Sequence, residues 1–163
     1  MDENIYELIN ESKIDELDEI QDVESQTYLV FSINSKKYGV SSNLVRELLR
    51  DVDVFPLPFV PAYIDGVLNR YGDPYVVIDP ATFFNDKKQN NSLFLVFNDD
   101  NKICIRISDV FEFQTISLDE INRFTEEQNN QFFEGTFKYE KEDVLILKKD
   151  SIIERVEKDF ERM

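Results

Sequence analysis

Apolar residues fall along this chain in short runs that favour strands. Thr27–Ile33 (Thr-Tyr-Leu-Val-Phe-Ser-Ile) is rich in aromatic and β-branched residues. The polar stretch Asn34-Ser35-Lys36-Lys37 turns it back into Tyr38-Gly39-Val40, which predicts a hairpin. Leu44–Leu49 is too short for periodicity to separate helix from strand. All five prolines lie between Pro56 and Pro80, so this stretch carries most of the irregular backbone. Ile64, Val67 and Leu68 follow Pro61, a place for a single helical turn. Tyr75–Ile78 is a short strand closed by Asp79-Pro80.

The pattern then restarts. Ser92–Phe97 resembles Thr27–Ile33, Asn98-Asp99-Asp100-Asn101 makes a turn, and Lys102–Ile107 alternates around Ile103, Ile105 and Ile107. Val110–Phe113 continues as strand. Ser117 with Glu120 has capping-box spacing and predicts a short helix carrying Leu118, Ile121 and Phe124. Asn129–Glu134 reads as a loop. Gly135–Tyr139 and Asp143–Lys148 read as a hairpin about Glu140-Lys141-Glu142. Ser151 with Glu154 predicts the start of a terminal helix over 151–162, with Ile152, Val156 and Phe160 on one face.

A hairpin-led β unit thus occurs twice. The expected fold is mainly β, two small barrels packed together, with short helices and a C-terminal helix. The first barrel is expected over about 27–85 plus C-terminal elements, the second over about 92–148. Closing each sheet would remove edges open to aggregation. With only four glycines, Asn and Asp are expected to supply the turns, since both tolerate the left-handed conformation.

Charge and chemistry narrow the function. Net charge is −16, which argues against nucleic acid or anionic membrane as main partners. Residues 1–26 hold ten acids and one lysine. Their apolar positions (Ile5, Leu8, Ile9, Ile14, Leu17, Ile20) fit helical spacing only loosely, leaving two readings: a solvated, disordered arm, or a helix that docks. The chain has no His, which removes Ser-His triads and His-ligated metals. A single Cys excludes an internal disulfide or a Cys cluster. Cys104 shares a strand face with Lys102 and Arg106, open to partial exposure, without a partner that would make it a nucleophile. The Asn98–Asn101 run has atoms for a hard cation but lacks spaced ligands and a closing Glu. Asp79 has no second carboxylate identifiable for glycoside chemistry. Phosphate-binding glycine loops are absent from the sequence. No signal peptide or long apolar run appears, so a cytoplasmic protein is the default, with no direct membrane insertion.

One order of residues is more specific. Tyr28-Leu29-Val30-Phe31, Tyr38-Gly39-Val40 and Val45-Arg46-Glu47-Leu48 come first. Leu57-Pro58-Phe59-Val60-Pro61-Ala62-Tyr63-Ile64-Asp65-Gly66-Val67-Leu68-Asn69 and Tyr75-Val76-Val77-Ile78-Asp79 follow. This resembles the CheW family, whose central motif is Ile-Pro-x-x-Pro-x-x-Ile-x-Gly-Val-x-Asn-Leu-Arg-Gly. The resemblance runs over about 27–160. It implies two five-stranded, SH3-like barrels and no catalysis or cofactor. It implies a chemotaxis adaptor that binds the cytoplasmic tip of a chemoreceptor and the regulatory domain of a CheA-type histidine kinase, near membrane-anchored receptor arrays. It places Val45, Glu47, Gly66, Asn69, Tyr71 and Gly72 at partner-binding positions, and makes Leu44–Leu49 partly strand. Asn69-Arg70-Tyr71-Gly72 puts Tyr where the family has Arg. Strand alternation sends Arg70 to the opposite face, so Arg70 is not expected to replace that guanidinium. Pro80, falling where the family continues Asp-Leu, is a further departure. The alternatives are a diverged scaffold with a changed partner and, from another class, a cation-binding domain or acid-dependent hydrolase.

Overall fold

The computed structural model describes residues 24–128 and 130–162. In chain order the strands are β1 (Ser25–Ile33), β2 (Lys36–Ser41), β3 (Val45–Arg50), β4 (Ile64–Arg70), β5 (Asp73–Ile78) and β6 (Leu93–Phe97). They continue as β7 (Ile103–Arg106), β8 (Asp109–Ser117), β9 (Asn122–Arg123), β10 (Phe133–Tyr139) and β11 (Glu142–Leu147), followed by helix α1 (Lys149–Glu161). Short 3₁₀ turns occupy Ser42–Leu44, Pro80–Phe84 and Leu118–Glu120.

The fold is mainly β, as the pattern predicts: one six-stranded sheet in the order β8-β1-β2-β11-β10-β9 and one five-stranded sheet in the order β3-β6-β7-β5-β4. The two edge strands of each sheet are neighbours in the chain. The turn at Leu118–Glu120 leads from β8 to β9. In the other sheet Phe55, beyond β3, exchanges two backbone hydrogen bonds of 2.8 Å with Val67 of β4. This bridge lays the chain beyond β3 against the edge strand β4, so part of that edge is paired.

The division of strands differs from the expected one. β1 and β2 do not join the strands of 45–78. They pair with β8 and β11, so the first lobe is built from both ends of the chain and the second from its middle. The link is the parallel pairing of β2 with β11 (Tyr38 with Leu145, Gly39 with Ile146). Sequence order favours neighbours, but here the return to the first lobe happens only after a complete second one.

Burial explains the unbroken apolar runs. Tyr28 and Val30 point into the first lobe, with Phe137, Val144 and Ile146. Their neighbours Leu29, Phe31 and Ile33 point the other way, into a shared seam with Leu93, Leu95, Phe97, Ile103 and Ile105 of the second lobe. Phe94, Val96 and Cys104 fill the second lobe's own interior with Leu68 and Val77. Strands covered on both faces lose the alternation of a half-exposed sheet. Helix α1 caps the seam with Ile152, Ile153 and Val156.

Several local expectations change. Ile64, Val67 and Leu68 lie in β4, not in a helical turn; Pro61 supplies only a turn in which its carbonyl accepts the Ile64 N–H at 3.0 Å. The Ser117 box yields a single 3₁₀ turn with no side-chain cap. The Ser151 box is not a cap either: α1 begins at Lys149, and Ser151 lies inside it. The seam anchors Ile152 and Ile153, and their burial sets the start of the helix. Asp79-Pro80 opens the turn Pro80–Phe84, with proline at the position where a missing N–H costs nothing. The fully buried Asp79 carboxylate accepts from the backbone of Ala81 (3.1 Å) and Gln89 (2.8 Å) and from the Gln89 amide (2.8 Å). Its oxygens hold a loop rather than a substrate.

Cys104 is wholly buried, which corrects its expected partial exposure. Burial pushes its thiol up to about 12. The thiolate that would react is therefore scarce as well as inaccessible. A thiol reagent at pH 8 should label the folded chain at least about a hundredfold more slowly than the chain in denaturant. Equal rates would show that the second lobe opens freely.

Candidate functional site

β3 and the β4–β5 turn bring Glu47, Asn69, Tyr71 and Gly72 together, with Val45 at the start of the same strand as Glu47. Val45 opens β3, half-buried against the seam. A register shift between Val45 and Glu47 leaves Arg46 unmatched, and its guanidinium donates to the Tyr75 hydroxyl (3.1 Å) and the Asp99 carbonyl (3.3 Å). Beyond the bulge, Glu47 faces the end of β4.

Arg70, the last residue of β4, grips Glu47 with two hydrogen bonds, Nε to Oε1 at 2.8 Å and Nη2 to Oε2 at 2.6 Å. The same guanidinium lies 4.1 Å from the centre of the Tyr71 ring and donates to the Tyr71 hydroxyl at 2.9 Å. The strand-alternation argument that set Arg70 apart does not apply at this corner. Alternation holds only along a strand, and residue 71 is not on one. Tyr71 and Gly72 form a two-residue turn with φ of +53° and +83°, the type I′ geometry of a tight hairpin. Arg70 turns back across that corner to reach Glu47. The Asn69 side chain accepts the Gly72 N–H at 3.0 Å, which fixes the turn.

Gly66 stands apart from this cluster. It is buried, with φ of +143°, and an added Cβ would lie 2.1 Å from the Phe55 carbonyl oxygen. Its place is set by the close approach of two backbones.

The surface chemistry suits binding. Tyr71 is 84% exposed, Phe59 96% and Phe55 57%. Phe59 sits between prolines with φ of +58°, a left-handed residue that turns its ring outward. The sequence pattern did not single out Phe55, Phe59 or Arg70; apolar residues flanked by prolines were the available signal for the first two. Among the described residues no group of three or more His, Cys, Asp or Glu side chains is placed to hold a metal ion.

Ion pairs tie the parts into one body. Lys149 at the start of α1 reaches Asp99 of the β6–β7 turn at 2.9 Å. The Tyr63 hydroxyl donates to Asp159 at 2.5 Å, and Arg155 Nε donates to the same oxygen at 3.0 Å. The Arg70 bonds hold Glu47 below its ordinary 4.5. Tyr63, then Arg155, holds Asp159 below 3.8. Burial pushes Asp99 up, but its bonds to Lys149 and to the Asn101 backbone outweigh this and leave it lowered. Each of these carboxyls binds its proton more weakly folded than unfolded. Their stabilisation is therefore complete above about pH 4.5 and lost as pH falls through the lowered values. The melting temperature should fall on acidification from pH 5 to pH 3, and Arg70→Gln should flatten part of that fall. An unchanged profile in the variant would remove Glu47 from this account.

The aromatic–guanidinium cluster thus sits on a tight turn of a two-lobed β body. A family model described as the CheW-like domain matches residues 27–157. The chain therefore belongs to the CheW-like domain family, a chemotaxis scaffold and adaptor family. Among solved structures it is similar to the scaffolding protein TtCheW from Thermoanaerobacter tengcongensis. That match has 25% identity and a TM-score of 0.68, and covers 77% of this chain and 90% of the other. No curated protein sequence matches the chain. No helix among the described residues is long and apolar enough to cross a membrane.

Proposed function

We propose that this chain is a non-catalytic coupling protein that joins the cytoplasmic tip of a chemoreceptor to the regulatory domain of a CheA-type histidine kinase. It would work in the cytoplasm, alongside membrane-anchored receptor arrays. The observation that carries this reading is the cluster in which Arg70 joins Glu47 and Tyr71, two positions that the family resemblance assigns to partners. Gly72 and Asn69 shape the turn that presents it. Binding through an exposed ring over a neutralised ion pair fits a partner surface that is apolar or weakly basic, because the chain's own charge is −16. The test is titration of the full chain against a receptor tip fragment and, separately, the kinase regulatory domain. Association at tens of micromolar or tighter is expected with both.

One observation favours a second reading. The outward group at position 71 is a ring where the family carries a guanidinium, and it is the most exposed member of the cluster. A scaffold with a changed partner, serving a separate signalling cluster, would bind the kinase domain and fail with the receptor tip.

A further inference from the structure

The two sheets end in four edge strands: β8 and β9 in the first, β3 and β4 in the second. A long edge with open backbone groups accepts a further strand unless something blunts it. β9 is only two residues long. β3 carries Arg46, Glu47 and Arg50, and Phe55 bridges to β4. β8 has neither kind of protection. It is nine residues long and contains no Lys, Arg or Pro. Among the described residues it pairs with β1 alone. Phe111, Glu112, Phe113 and Thr115 along it are exposed.

We propose that β8 pairs antiparallel with β8 of a second copy of this chain, centred on Phe113. The order of residues along the strand selects this occupant. In that register Phe113 faces its counterpart, Glu112 faces Gln114, and Phe111 faces Thr115. A two-fold axis through the Phe113 pair makes each of the other pairings occur twice. The two rings form an aromatic cross-strand contact, and each carboxylate meets an amide that can donate to it. No like charges stand opposite each other. Centring on Glu112 instead would set two carboxylates face to face, which is destabilising. The faces also agree. Glu112 and Gln114 lie opposite Val30 and Tyr28 of β1, so both are on one side of the sheet. The Gln114 amide already donates to Glu112 at 2.7 Å, and the Tyr139 hydroxyl donates to the same oxygen at 2.8 Å. The carboxylate is thus held in place before a second copy arrives. Pairing over Phe111–Thr115 joins two six-stranded sheets edge to edge. The contact is small, so the dimer is weak, with a Kd on the order of 0.1 mM. The charge of −16 on each copy opposes it, and salt should therefore strengthen it.

The test is sedimentation equilibrium of the full chain from about 10 µM to about 1 mM. The mean mass should rise toward that of two chains, and rise further in about 0.5 M salt. Gln114→Lys puts a cation opposite Glu112 twice and should tighten the dimer about fivefold. Gln114→Glu puts carboxylates opposite and should loosen it by about the same factor. Asn90→Lys, the same change of charge on an exposed loop residue, should leave it unchanged. Amide exchange at Phe111–Thr115 should slow as concentration rises, while that of Asn122 and Arg123 stays constant. A chain that remains single at the highest concentration and salt would overturn the proposal. So would a dimer indifferent to both changes at Gln114, which would place the contact elsewhere. Protection of Phe111–Thr115 that appears only on adding the receptor tip or the kinase domain would also overturn it, since the added strand would then belong to that partner.

Discussion

Replacing Gly66 with alanine is expected to destabilise the protein by about 3 kcal/mol or more. Two penalties act at once. The φ of +143° lies in a region that residues with a Cβ rarely adopt. The new carbon would also sit 2.1 Å from the Phe55 oxygen, 2.7 Å from its carbonyl carbon and 2.9 Å from the Pro56 Cα. All three are backbone atoms, so no side chain can rotate away. Relief requires Phe55 to move, and that breaks the paired 2.8 Å hydrogen bonds to Val67. Those bonds hold the segment after β3 against the edge strand β4. Urea denaturation would show a lower midpoint. The comparison is Gly72→Ala, where φ of +83° is also unfavourable but no atom lies within 4 Å; its loss should be about 1 kcal/mol. Equal losses at the two glycines would mean that backbone conformation alone matters and that the Phe55 approach does not.

These glycines show what the sequence could not convey. The Tyr71-Gly72 turn was missed, because strand alternation was carried through Arg70 and Tyr71, and tyrosine is not among the residues that mark a type I′ turn. The Gly66 position required knowledge that Phe55, eleven residues earlier, crosses over it; no local pattern encodes such an approach. Strands, by contrast, were legible. Runs such as Tyr28–Phe31 and Leu93–Phe97 are buried on both faces, so composition alone identifies them. Which sheet each joins was not legible. The pairing of Tyr38 with Leu145 spans most of the chain, and an apolar strand fits either lobe. Turn chemistry was half legible. Asn34, Asp51 and Asn85 adopt positive φ as expected, but so do Phe59, Lys102, Glu140 and Lys141, where position in a tight bend overrides residue preference. The helix starts failed because capping boxes are local, whereas burial of Ile152 in the seam is not.

Arg70→Leu is expected to weaken receptor-tip binding by roughly ten- to a hundredfold, with little change in kinase-domain binding. Removing the guanidinium leaves Glu47 as an uncompensated carboxylate in a contact surface, and a charge left unpaired on binding is costly. The Tyr71 ring also loses the group stacked 4.1 Å beneath it, so its orientation loosens. The chain with both Arg70→Leu and Tyr71→Arg restores the family order Asn-Leu-Arg-Gly and separates two accounts. Recovery of receptor affinity would mean that the partner responds to a guanidinium beside Glu47, whichever residue delivers it. The shift by one position would then be neutral. Continued weakness, with Glu47 still held below its ordinary 4.5, would mean that the partner reads the exposed Tyr71 ring itself. In that case Arg70 acts as the brace, and the departure from the family motif sets which receptor this scaffold accepts. Full binding by Arg70→Leu alone would remove the cluster from the interface and move the search to Phe55 and Phe59, the other exposed rings of the second lobe.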